Sequence, residues 1–105
     1  MNKTQIAIII LAITLIAGCS KRDNEFIVVD AKNTALSAIL EICDESVNLS
    51  KVREGFSKKV PIACEGEGSI RVHLKSNHEV TCPVGYVTPG AEQIFRFVIE
   101  NGQCR

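Results

Sequence analysis

The stretch that most limits what this chain can fold into is its start. Ile6 to Gly18 carries no charge, follows the one lysine of Met1-Asn2-Lys3-Thr4-Gln5, and stops at Cys19 ahead of Ser20-Lys21-Arg22-Asp23. A positive n-region before an apolar h-region is the layout of a secretory signal. A helix needs about 20 apolar residues, at about 1.5 Å each, to cross a bilayer, and Ile6 to Gly18 falls short of that. Residues 1–18 therefore read as a leader that is removed, and the fold must be built from residues 19–105.

Ile16-Ala17-Gly18-Cys19 resembles the lipobox of bacterial lipoproteins. The resemblance implies cleavage by signal peptidase II after Gly18, with Cys19 as the new first residue. Its thiol then carries a diacylglycerol and its amine an acyl chain such as palmitate. Two other readings, a soluble-protein signal that happens to contain a cysteine and an uncleaved short anchor, leave the position of Cys19 unexplained. Several buried chains, at about 0.8 kcal/mol per methylene, make an effectively permanent anchor. Ser20 occupies the place where an aspartate would resemble the enterobacterial inner-membrane retention signal. The expected location, for a Gram-negative host, is the outer membrane with the domain facing the periplasm.

Taking residues 1–18 from 105 leaves 87, enough for one small domain and too few for two. A chain of that size buries about 60 to 65% of its unfolded surface, so its core is marginal and a covalent staple helps. With Cys19 lipidated, Cys43, Cys64, Cys82 and Cys104 remain, an even set in an exported chain. Two disulfides are expected, each closing a loop of about 20 residues and stabilising by roughly 3 kcal/mol. Four cysteines permit three pairings, and sequence does not choose among them. A zinc site is the competing reading, but there is no C-x-x-C knuckle, and the periplasm opposes reduced thiolates.

The whole chain carries 12 Lys plus Arg and 12 Asp plus Glu. Such a balance argues against a nucleic-acid binder, which needs a basic surplus. One basic cluster, Lys51, Arg53, Lys58 and Lys59, reads as a solvated face rather than a docking site for acidic lipid or a partner.

Residues 19–25 read as the lipidated cysteine and a short tether, and 26–105 as a single stapled domain. Phe26-Ile27-Val28-Val29 is a candidate strand. Asn33-Thr34 can cap a helix over Ala35 to Cys43, where Leu36, Ile39, Leu40 and Cys43 make one stripe at helical period. Leu49, Val52 and Phe56 suggest a second short helical piece broken at Gly55. Asn48-Leu49-Ser50 matches a glycosylation triplet by chance. From Val60 the period becomes two: Val60, Ile62 and Cys64, then Ile70, Val72 and Leu74, then Val80, Cys82, Val84 and Tyr86, and finally Ile94 to Ile99 before Asn101-Gly102. If Asn77 centres the second hairpin, Val72 faces Cys82 and Leu74 faces Val80. The expected fold class is α+β: an antiparallel sheet of about four strands covered by the helix from Thr34 to Cys43. Register ranks the pairing 43–64 with 82–104 first without settling it.

No catalytic constellation is present. Gly66-Glu67-Gly68 completes neither a dinucleotide fingerprint nor a P-loop, His78-Glu79 lacks the second histidine of a zincin, and no G-x-S-x-G elbow occurs. An oxidised Cys82 cannot serve as a nucleophile beside His78. His73 falls on the outward side of its strand. The expectation is a protein that is not an enzyme and uses no metal, cofactor, nucleic acid or small-molecule substrate. The candidate partner contacts lie in Glu65-Gly66-Glu67-Gly68 and Gly85 to Gly90, namely Glu65, Glu67, Tyr86 and Pro89. For Glu65 and Glu67 turn solvation competes with that role, and for Tyr86 the alternation favours the core face.

In plan and size the chain resembles the small lipoproteins that phages and plasmids make for exclusion, although no motif beyond Cys19 carries the likeness. Phage superinfection-exclusion lipoproteins bind an outer-membrane β-barrel receptor from the periplasmic side. That resemblance implies the same function here. The alternative is an accessory or structural lipoprotein of an envelope machine, such as a secretion, pilus or conjugation complex. A ligand-binding module is disfavoured, because so small a core leaves little room for a pocket of several hundred Å³.

Overall fold

The computed structural model describes residues 23–105. The leader 1–18, the lipobox ending at Cys19 and residues 20–22 lie outside the described residues. Nine strands make up the regular structure: β1 (Asp23–Val29), β2 (Ala35–Ile42), β3 (Glu45–Asn48), β4 (Ser50–Val52), β5 (Gly55–Pro61), β6 (Gly66–Leu74), β7 (Glu79–Val87), β8 (Ile94–Glu100) and β9 (Gln103–Cys104). One sheet has the order β4-β5-β1-β8-β9 and the other β3-β2-β6-β7. The α+β expectation is thus corrected to an all-β sandwich with no helix among the described residues.

The segment expected to be the covering helix is β2. Its alternative pattern, Ala38, Leu40 and Ile42 at period two, puts those three into the core and leaves Leu36 58% exposed. A register shift between Ala35 and Ser37 adds the residue that disguises the alternation. Asn33-Thr34 does not cap a helix. Instead the Asp30 carboxylate accepts hydrogen bonds from the Thr34 and Ala35 amides and the Thr34 hydroxyl, all at 2.9 Å, and closes the β1–β2 connection. A helix of so few residues is marginal alone, whereas β2 gains ladders to β3 on one side and β6 on the other. Leu49, Val52 and Phe56, expected in a second helical piece, belong to the β4–β5 hairpin and its entry. Gly55 is required there, with φ 140 and no room for a Cβ against the Val28 carbonyl oxygen.

The expected meander is also redistributed. Val60 lies in β5 of the five-stranded sheet, and β8 leaves β7 to pair in parallel with β1, so that β1 sits between β5 and β8. β1 opens at Asp23, ahead of the expected strand at Phe26, and Asp23, Asn24 and Glu25 pair with Pro61, Val60 and Lys59. In the β6–β7 hairpin Ile70 faces Cys82 and Val72 faces Val80, two residues from the expected register. The turn closes with Asn77 N–H on Leu74 O at 3.0 Å and Leu74 N–H on His78 O at 2.8 Å, with Asn77 at φ 69. Because the slip is by two, both apolar sets keep the same face.

Between the sheets lie Phe26, Val28, Leu40, Ile70, Val72 and Val87, each at most 1% exposed. Phe26 stacks on Phe95 with centroids 5.0 Å apart. The disulfides are Cys43–Cys64 and Cys82–Cys104, the pairing ranked first from register. Cys82–Cys104 ties β7 to β9 and so joins the two sheets. Cys43 lies in the two-residue β2–β3 turn, where it and Asp44 both have positive φ (56 and 58), and it is bridged to the β5–β6 link.

Candidate functional site

Strand directions gather one end of the sandwich from the start of β1, the ends of β2, β5 and β7, and the starts of β3, β6 and β8. The β2–β3 turn and the β5–β6 link approach each other here because Cys43 and Cys64 are bonded, with Cα atoms 5.7 Å apart. Around that disulfide lies an open hollow of about 660 Å³ walled by Glu41, Asp44, Glu45, Glu65 and Glu67. None of its lining residues is a Lys or Arg.

All four residues singled out from sequence lie at this end, and three of them come together. Glu67 stands opposite Tyr86 in the β6–β7 ladder. The Tyr86 hydroxyl donates to Glu65 Oε2 at 2.8 Å. That bond holds the proton on the phenol, because losing it would set two anions side by side; with slight desolvation added, the Tyr86 pKa rises above its ordinary 10.0. Pro89 is exposed in the 88–93 loop and takes no part in the hollow.

The core reading of Tyr86 is corrected: the ring is 62% exposed. A bulge in the ladder, where Gly68 faces Gly85 but Ser69 faces Pro83, inserts Val84 and reverses the alternation beyond it. Val87 takes the core position and Tyr86 turns outward. Gly66, Glu67 and Gly68, read as a turn, are the opening of β6, and Gly85 to Val87 are the close of β7.

Glu41, Asp44 and Glu45 were missed because they lie in or after the segment read as a helix. A two-residue turn with both residues at positive φ is signalled by Asn-Gly or Asp-Gly, and Cys43-Asp44 gives no such cue. The arrangement offers carboxylate acceptors and one aromatic ring to a cationic or hydrogen-bond-donating surface. Among the described residues no group of three or more His, Cys, Asp or Glu could hold a metal ion.

Comparison with known protein families, curated sequences and solved structures returns no match.

Proposed function

We propose that the chain is an outer-membrane lipoprotein whose periplasm-facing domain is a non-enzymatic interaction module. It binds a β-barrel receptor from the periplasmic side and so blocks superinfection by phage. The observation that carries this reading is a coincidence of position: β1 begins at Asp23, four residues after Cys19, and Glu65, Glu67 and Tyr86 lie at that same end of the sandwich. Four residues span at most about 14 Å, so a lipid on Cys19 holds this end close to the membrane, at the height of a barrel's periplasmic rim.

Confinement in two dimensions raises the effective concentration, so a modest contact suffices. The exposed Tyr86 supplies an aromatic anchor of the kind that concentrates binding energy. The carboxylates around it favour a basic partner and speed encounter with one. Occupancy by the domain biases the receptor toward a conformation that phage cannot use.

The test is capture of the tagged, lipidated protein from gently solubilised outer membranes, with Cys19→Ala as control, followed by phage challenge of cells carrying Tyr86→Ala with Glu65→Gln. Recovery of one barrel receptor that depends on Cys19, with protection weakened in the double variant, supports the reading. Recovery of a periplasmic assembly overturns it in favour of the accessory role in an envelope machine.

A further inference from the structure

The outer faces of the two sheets differ. By register, Glu25, Ile27 and Val29 of β1 share that of the five-stranded sheet with Ser57 and Lys59 of β5, Val52 of β4, and Ile94, Arg96 and Val98 of β8. Ile94 is 69% exposed and Val52 44%. Ile27, Val29, Val52, Arg53, Glu54 and Arg96 line one hollow. Arg53, Lys59 and Arg96 form no ion pair among the described residues, although Lys59 stands opposite Glu25.

The outer face of the four-stranded sheet is unlike this. Ser37, Glu41, Ser69, Arg71, His73, Glu79 and Thr81 share it, and Ile39 is its one aliphatic side chain among paired strand positions of β2 and β6. Its arginine is ion-paired within the domain: Arg71 Nε lies 3.0 Å from Glu41 and Nη1 3.5 Å from Glu79.

We propose that the outer face of the five-stranded sheet rests on the phospholipid surface that holds Cys19, with its isoleucines and valines at the headgroup boundary and Arg53, Lys59 and Arg96 on lipid phosphates. The proposal rests on the lipoprotein reading above. Chain length argues for it. β1 belongs to this sheet and starts four residues from Cys19, within about 14 Å of chain. The opposite sheet is a further layer of about 10 Å away.

Charge argues for it as well. Lys21 and Arg22 lie in the sequence between Cys19 and β1 and add positive charge next to the anchor, which an anionic leaflet favours. If the domain stood on its tethered end instead, Asp44, Glu45, Glu65 and Glu67 would press against like charge. Lying flat, the domain aims its Tyr86 end sideways along the leaflet, where a neighbouring barrel stands.

The chain contains no Trp and so accepts single reporters. The mature full chain carrying Ile94→Trp or Ile39→Trp is bound to vesicles of phosphatidylethanolamine with about one quarter phosphatidylglycerol, some of it with brominated acyl chains. The mass of its N-terminal residue is measured on the same sample. The expected result is that the reporter at position 94 loses about half its emission, as a group at headgroup depth should, while the reporter at 39 loses none. Adding Arg53→Glu and Arg96→Glu should abolish the quenching while a lipidated chain stays on the vesicles. Equal quenching at 94 and 39, or none at either, overturns the proposal. A reporter at 94 that is shielded before vesicles are added also overturns it, in favour of a second copy. An unmodified Cys19 overturns the anchored reading, and selective quenching at 94 in that sample would still uphold the face.

Discussion

The two sheets share one interior and differ outside, and the difference traces to how each strand alternates. In β6, Arg71, His73 and Ser69 separate Ile70, Val72 and Leu74, the pattern of a strand with one wet face. In β1, Phe26-Ile27-Val28-Val29 is apolar without interruption, and β8 reads Ile94-Phe95-Arg96-Phe97-Val98-Ile99. Strands apolar on both faces belong where both faces are covered. The layer formed by the four-stranded sheet covers one face of β1 and β8, and none of the described strands covers the other.

If the layers differ only outside, their inner faces should respond alike. Phe26→Ala in one sheet and Leu40→Ala in the other should each lower stability by about 3 to 5 kcal/mol in urea unfolding. Tolerance at either position would mean that the sheets do not share a core. The disulfides come next. Cys43–Cys64 and Cys82–Cys104 close loops with separations of 21 and 22 residues. Replacing either pair by Ser should therefore cost nearly the same, about 3 kcal/mol. A larger loss for Cys82–Cys104 would show that the bond between the sheets also holds the native layers together.

Asp30 lies at the end of the sandwich away from the acidic hollow. Burial opposes its charge, but the Thr34 and Ala35 amides, the Thr34 hydroxyl and the charge of Lys51 outweigh that, and its pKa falls below 3.8. A lowered folded value means that the ionised carboxylate stabilises the fold at all pH above about 3.9. That contribution disappears as pH falls through the folded value. Asp30→Ala should cost about 1 to 3 kcal/mol at neutral pH and flatten the acid limb of the stability curve. An unchanged acid limb would assign it to other carboxylates.

The smallest effects bear on the outer faces directly. Arg71→Ala should cost about 0.2 to 1 kcal/mol, less at high salt, because its pairs are half-exposed. Arg96→Ala should leave the stability of the free domain unchanged. Tyr86 is the only tyrosine of the chain, so an ultraviolet titration reads it alone. Its titration should lie above pH 10.0 and return toward it in Glu65→Gln.

Much of the interior was legible in the residues. Ile70, Val72, Leu74, Cys82 and Ile99 announced themselves by alternation, and Asn101-Gly102 forms a turn with φ 54 and 72. The observed disulfide pairing is the one that register ranked first without settling it. β2 was not legible, because one extra residue at the Ala35–Ser37 shift makes a period-two segment mimic a helical stripe, and because Cys43-Asp44 is an atypical turn. Tyr86 was misread for a related reason: an inserted Val84 is invisible until the two strands are laid side by side. The parallel crossing of β8 to β1 depends on long-range packing that leaves no local cue.

The position of β1 also bears on how the domain carries load. A pull arriving along the chain at Asp23 runs lengthwise down a strand held by antiparallel β5 on one side and parallel β8 on the other. Hydrogen bonds in both ladders lie across that direction, so they must be sheared together and cannot be unzipped one after another. The N-terminal strand is thus a mechanical root: a pull at Asp23 should tear it out only at a force that breaks both ladders together.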